Sequence, residues 1–437
     1  MSLALASNLA LPSKATIAEA IATRETWALQ HLQNFVAYPS VLGNEQSAQD
    51  YVAGMYEEIG FKPERLAVDI DHIKNLRGFS PVDWDYQGRY NVAAVHDVKN
   101  PAGRSLIFNG HVDVVSPEPV KLWSRDPFDA HIVQEGGDTW MYGRGAGDMK
   151  GGTVCYIWAL QALRDMGLTP ASRVVLQSPI EEECTGNGAL SLLAAGYTGD
   201  ACLIPEPFNE TILCNQLGVI WFQVRIVGKT THVLGAGAGV NAIEKSWVVI
   251  QALREIEREK NDPKRFPVAY RNTVNPLNLN VGTIEGGDWA STVAGECVTR
   301  FRFALFPGES LDELKVEIER RVAEAAAQDS WLKDFPPQVE YVGFQAEGCS
   351  FDDAGDFGQT LKSAHVSWRG SAPAKLHATC TTDVRFFNLY YNIPATCYGP
   401  KAENIHGTDE RVSVSSMRRV TEVMTSLIID WSGAQKL

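Results

Sequence analysis

Leu106-Ile107-Phe108-Asn109-Gly110-His111-Val112-Asp113-Val114-Val115 decides how this chain reads. An apolar run with the character of a buried strand stops at Asn109-Gly110, and His-x-Asp follows at once. Downstream come Gly143-Arg144-Gly145-Ala146-Gly147-Asp148-Met149-Lys150-Gly151-Gly152, Glu181-Glu182-Glu183, Pro205-Glu206-Pro207 and, much later, Ile405-His406-Gly407. Ligand sites of open α/β sheets lie outside the carboxyl ends of strands. Histidines and carboxylates at such ends are what a divalent metal site needs. Two imidazoles and three carboxylates, at His111, Asp148, Glu183, Glu206 and His406, suit two metals rather than one, with zinc, cobalt or manganese as the chemical match. Asp113, two residues beyond His111 on a strand, points to the same side and is expected to accept the other ring N–H of His111. Glu182 adjoins Glu183 and is placed to take a proton from a water held there.

The surrounding pattern supports a sheet. Asn91 to Val95, Ser105 to Asn109, Arg173 to Ser178 and Ala201 to Ile204 are short apolar or β-branched runs that read as strands. Gly151 to Met166 reads as a helix between two of them and stops at Gly167. Thr16 to Val36 has helical periodicity up to the Pro39-Ser40 break, and Asn44 to Ile59 forms a second helix with Gly60 as its stop. The alternation predicts an α/β fold, a mixed sheet with helices on both faces. From about Leu217 the texture changes. Strands at Val219 to Val227, Leu277 to Ile284, Glu296 to Leu305 and Gln338 to Gly343 enclose helices at Val240 to Glu259 and Leu311 to Gln328. That order predicts a compact α+β unit over residues 217–345, inserted into a discontinuous unit of residues 1–216 and 346–437. Pro81 to Gln87, with Trp84 and Tyr86 among polar residues, reads as a surface excursion.

A length of 437 residues favours two domains over one core. The net charge of -14 argues against a nucleic-acid partner. No run of about 18 apolar residues occurs, so no membrane span is expected. Met1 to Pro12 is mildly apolar without a basic start, which argues against a signal peptide. Cysteines at 155, 184, 202, 214, 297, 349, 380 and 397 form no C-x-x-C pair and read as reduced, buried thiols of a cytoplasmic protein.

These stretches, in this order, resemble the di-zinc amidohydrolase and metallopeptidase family of acetylornithine deacetylase, succinyl-diaminopimelate desuccinylase, aminoacylase and carboxypeptidase G. Trp123 with Pro127-Phe128, Gly188-Ala189 and Gly399-Pro400 add to the match, which covers nearly the whole chain. The resemblance implies that Asp148 bridges both metals, that His111 and Glu206 complete one site, and that Glu183 and His406 complete the other. It implies Glu182 as general base and later acid, Asp113 as the residue orienting His111, and a cis peptide after Asp148. A register shifted by one would make Glu181 the base. Gly228-Lys229-Thr230-Thr231-His232 and Gly239-Val240-Asn241-Ala242-Ile243 are similar to the family's dimerisation signature, in which the histidine reaches the partner subunit's site and polarises the scissile carbonyl. Here Ala236 stands where the family carries proline. Arg302 matches an arginine that contacts a substrate carboxylate, and Thr382-Asp383-Val384-Arg385 resembles a segment beside the substrate, which makes Arg385 a second candidate. A structural salt bridge is an equal reading for both arginines, and Asn280 lies in the same lid strand region.

The expectation is a two-metal hydrolase, a homodimer through the inserted unit, that cleaves the amide of a small N-acyl amino acid. A carboxypeptidase or dipeptidase, or a specialised C–N hydrolase, is the alternative within hydrolases. A binding protein that kept the fold is the alternative outside them, but no ligand position is lost.

Overall fold

The computed structural model describes residues 11–437. Most of Met1 to Pro12, on which the reading of no leader rests, therefore lies outside the described residues. The larger sheet has six strands in the order Pro63–Ala67, Tyr90–His96, Val174–Ser178, Leu106–Asn109, Cys202–Ile204 and Ala395–Cys397. The first two pairings are antiparallel and the rest parallel, so the sheet is mixed as expected. Every residue of the last four strands in this order, from Val174–Ser178 to Ala395–Cys397, is buried. Burial on both faces means that helices cover both. Gly152–Asp165, almost wholly buried, and Val414–Ser432 are two of these helices.

Boundaries shift where tertiary contacts intervene. The single helix expected over Thr16 to Val36 is two helices, Lys14–Thr23 and Glu25–Val36, broken at Arg24. The Arg24 guanidinium bonds both carboxylate oxygens of Asp165 at 2.6 and 2.8 Å, a distant partner that periodicity does not reveal. The next helix runs Gln46–Glu58, and Glu45, just before it, is buried in an ion pair with Arg89.

A second sheet follows the order Leu279–Gly286, Glu296–Leu305, Gly218–Val227 and Gln338–Glu340, all antiparallel. Helices Ala242–Lys260 and Leu311–Gln328 bury their apolar stripes with one face of this sheet. This core is separate from the one around the larger sheet: its members run from Leu217 to Tyr341, whereas the larger core draws on residues before and after them. Among the described residues, no helix is long and apolar enough to cross a membrane. All eight cysteines are free, and all but Cys380 are buried.

Candidate metal centre

The strand Leu106–Asn109 delivers His111 to the carboxyl edge of the larger sheet. The chain keeps its direction there: Gly110 N–H donates to Gln177 O and Val112 N–H to Pro179 O, both at 2.9–3.0 Å. Glu206 follows the neighbouring strand Cys202–Ile204. Its backbone is pinched between two glycines. A Cβ on Gly152 would stand 2.0 Å from Pro205 O, and one on Gly399 would stand 2.3 Å from Glu206 O. Both approaches exclude any side chain, which explains the glycines at Gly151-Gly152 and Gly399-Pro400.

Asp148 sits in an irregular helical turn, Ala146–Gly151, and the peptide bond from Asp148 to Met149 is cis, as the resemblance implied. Asp148 Oδ1 lies 3.3 Å from His111 Nε2, and its Oδ2 lies 3.4 Å from His406 Nε2. One carboxylate thus turns one oxygen to each imidazole. His406 Nε2 is also 3.1 Å from Glu183 Oε1. His111 Nε2 is 3.9 Å from Glu206 Oε1 and 4.0 Å from Glu182 Oε2. His111, Asp148 and Glu183 bring ligand atoms within 4.8 Å of one another, and so do His111, Glu182 and Glu206. The two groups interlock at His111, with Glu182 inside the second rather than apart from it.

The donor set fits divalent cations. Asp148, Glu182, Glu183 and Glu206 crowd together with only two imidazoles against them. Glu182, 5% exposed, has no hydrogen-bond partner for Oε1 among the described residues. Burial pushes the Glu182 and Glu206 carboxyls well above their usual range, and neighbouring carboxylates add to the shift. Burial alone would lower both imidazoles. For His111 the Asp148 hydrogen bond and surrounding acids outweigh it and raise the pKa well above normal; for His406 the Glu183 charge and Asp148 carry it up to about 11. Positive charge is what this cluster calls for.

Asp113 acts differently from expectation. His111 Nδ1 lies 2.9 Å from the Asp113 backbone carbonyl, while the Asp113 carboxylate stands 3.7 Å from that nitrogen. The carboxylate instead accepts the N–H groups of Glu182 (3.2 Å) and Glu183 (3.1 Å). One residue therefore meets His111 Nδ1 through its main chain and holds the Glu182–Glu183 turn through its side chain.

Glu181 is spoken for. Trp84 Nε1 donates to its Oε1 at 2.7 Å, Thr185 Oγ1 donates to its Oε2 at 2.8 Å, and Tyr86 and Arg89 bond it as well. Glu181 is fully buried in that network, so the geometry favours Glu182 over Glu181 as the free carboxylate. The same contacts refine the reading of Pro81 to Gln87: Asp83, Asp85 and Gln87 are exposed, but Trp84 and the buried Tyr86 turn inward and latch the segment to Glu181. Aromatic residues among polar ones read as exposed when their buried acid partner is far away in sequence.

Glu410 escaped sequence reasoning. It is fully buried, and its carboxylate accepts the N–H groups of Gly145 (3.1 Å), Gly147 (2.9 Å) and Asp148 (2.9 Å) and pairs with Arg144 at 2.6 Å. It fixes the turn that carries Asp148. Its only signal in the sequence was its place four residues after His406.

The remaining candidates lie outside the cluster. Arg385 is 0% exposed and donates to Thr185 O (2.7 Å) and Thr382 O (3.3 Å), while its guanidinium packs 4.1 Å over the Phe386 ring. A substrate has no access to it, so it braces the core rather than binding ligand. Arg302 is half-buried on the second sheet and donates to Thr379 O at 3.3 Å. His232 is exposed and accepts the Leu234 N–H at Nδ1. Within one chain it does not join the cluster.

Comparison with known proteins agrees with this geometry. The profile of Peptidase family M20/M25/M40 matches residues 107–430. N-formyl-4-amino-5-aminomethyl-2-methylpyrimidine deformylase of Bacillus subtilis is 29% identical over 418 residues, 90% of this chain and 91% of the relative. Succinyl-diaminopimelate desuccinylase of Bradyrhizobium sp. is 26% identical over 420 residues, 92% of this chain and 98% of the relative. Among solved structures, the di-peptidase Dug1p from Saccharomyces cerevisiae superposes with a TM-score of 0.77 at 14% identity, covering 96% of this chain and 98% of that one. Human carnosine dipeptidase 1 gives a TM-score of 0.72 at 14% identity, covering 96% and 99%. These two likenesses concern the fold alone.

Proposed function

The chain belongs to Peptidase family M20/M25/M40, and from that premise we propose that it hydrolyses the amide bond of a small N-acyl amine, N-acyl amino acids among them, with two divalent metals and Glu182 as general base. The observation that carries this reading is the Asp148 carboxylate, one oxygen toward His111 and the other toward His406. His111 and Glu206 would hold one ion, Glu183 and His406 the other, and Asp148 both, with zinc the first expectation and cobalt or manganese the alternatives. When bound, such a pair lowers the pKa of a water and polarises a carbonyl.

The residues do the rest. Glu182 takes a proton from water as the oxygen adds to the amide carbon. The same carboxyl returns that proton to the nitrogen as the C–N bond breaks, leaving a carboxylic acid and a free amine. Asp113 keeps the Glu182 backbone in place throughout.

The relatives named above are a deformylase and a desuccinylase, so the acyl group is the open variable. A panel of N-formyl, N-acetyl and N-succinyl amines and amino acids, with dipeptides, is to be assayed for free amine with and without a chelator. Chelator-sensitive release from an N-acyl amine is expected. Cleavage of dipeptides alone would replace this reading with a dipeptidase, and silence by the metal-loaded protein would remove it.

We also propose that residues 217–345 form a lid through which two copies pair, and that His232 serves the partner subunit's site. Val233 (49% exposed) and Leu234 (92% exposed) flank the histidine, and Trp289 (73% exposed) lies on the loop bridged to it through Thr292. Exposed apolar groups of this size support a subunit contact. His232→Ala is expected to depress kcat with metal content intact. Mixed with an excess-free equal amount of Glu182→Ala, it should regain roughly a quarter of wild-type activity, because half of randomly paired dimers carry one complete site. No recovery in a mixture shown to exchange subunits would place the histidine's action within its own chain.

A further inference from the structure

Outside the metal cluster the chain has a cavity of about 360 Å³ between the uncovered face of the second sheet and the Pro81-to-Gln87 latch. We propose that this cavity is a clamp for a planar aromatic or heteroaromatic ring of the substrate, gripped between the indoles of Trp84 and Trp221. The proposal deepens the amidohydrolase reading and rests on it.

Strand pairing builds one wall. Trp221 and Asn280 are both direct cross-strand partners of Arg302, so the three side chains share one face of the sheet. The adjacent pair, Phe222 and Phe301, points the other way and stacks at 5.0 Å in the helix-covered core. Trp84 of the latch also lines the cavity.

Both indoles are held before any ligand arrives. Trp84 spends its only polar atom on Glu181, at 2.7 Å, so what remains for a ligand is apolar ring surface. Trp221 meets Phe344 edge-on at 5.3 Å. Gly343, at φ +81°, lies so close that a Cβ there would stand 2.6 Å from the Trp221 ring, and its N–H donates to Pro81 O at 2.7 Å. That bond ties the two walls together. Fixed aromatic walls favour a flat ring over a flexible chain, because the stacked geometry is met without ordering either partner. The volume lies at the small end of ligand pockets, about 300–1,000 Å³, which suits one ring or a fused pair rather than a peptide.

The cavity connects to the proposed metal centre through Trp84, whose indole is bonded to Glu181. Glu181, which anchors Trp84, precedes Glu182. Arg302, which lines the cavity, donates to Thr379 O at 3.3 Å. In this proposal the amide of a ring held in the clamp extends from it toward Glu182.

The test is a matched pair, N-benzylformamide and N-(cyclohexylmethyl)formamide, which share the scissile bond and differ in planarity. In the wild-type holoenzyme kcat/KM is expected to favour the benzyl compound by about tenfold. Trp221→Leu and Trp84→Leu should each cut that ratio severalfold, and Trp221→Phe should retain it. Because Trp84→Leu also removes a Glu181 donor, Trp221→Leu decides. Calorimetric titration of the chelated protein with benzylamine and cyclohexylmethylamine reads ring binding without turnover. A ratio near one in the wild type, or an unchanged ratio in Trp221→Leu, would overturn the clamp while hydrolysis of both compounds left the amidohydrolase reading intact. Selective benzylamine binding with no hydrolysis of any amide would do the reverse.

Discussion

Glu182→Gln should lower kcat/KM by about 10²–10⁴-fold, the usual contribution of a placed acid–base group, or about 3–5 kcal/mol of transition-state stabilisation. The loss belongs mainly in kcat, because the substituted amide keeps the shape of the side chain and removes only its capacity to carry a proton. Metal content should stay near that of the wild type. The contacts joining Asp148, Glu183 and His406, at 3.1–3.4 Å, do not involve Glu182. Steady-state kinetics with metal analysis of the same preparation reads both quantities. Activity within tenfold of wild type would move the base elsewhere, and Glu181 is a poor refuge because four side chains already bond its carboxylate.

Asp148→Ala should remove metal and activity together. Loss of a residue that merely supports a metal ligand weakens affinity about 10–100-fold, so loss of the group common to both imidazoles should reach at least the upper end of that range. A variant that stays folded by circular dichroism yet retains two ions per chain would end the bridging role. A variant that retains one ion would assign Asp148 to a single site. The result also bears on Glu410, whose carboxylate bonds the Asp148 N–H and so holds the turn from which Asp148 projects.

Much of this was legible from strand ends. His111 and Glu206 each follow a short apolar run, and those runs are adjacent strands of one sheet. Asp148, Glu182 and Glu183 needed the order of the surrounding stretches as well, since a glycine-rich turn and a run of three acids mean little alone. What stayed illegible depends on distant partners. Arg385 looked like a ligand-binding arginine, but its acceptors are backbone carbonyls, one of them at Thr185. Asp113 sits where expected, yet its carboxylate turns to the Glu182 and Glu183 backbone because its own carbonyl already serves His111. The Trp84–Tyr86 latch and the break at Arg24 follow the same logic: each is set by an acid, Glu181 or Asp165, about a hundred residues or more along the chain.

The Glu410 cap also has a consequence for the order in which the molecule comes into being. Chains leave the ribosome from the N-terminal end and fold progressively as they emerge. His111, Asp148, Glu183 and Glu206 appear first, but the Asp148 turn stays without its cap, and His406 is missing, until synthesis has gone about 200 residues further. A nascent or prematurely terminated polypeptide thus has an open-ended cradle with unpaired amides. The turn that carries Asp148 therefore gains its cap, and the candidate cluster its second imidazole, only once synthesis has passed His406 and Glu410.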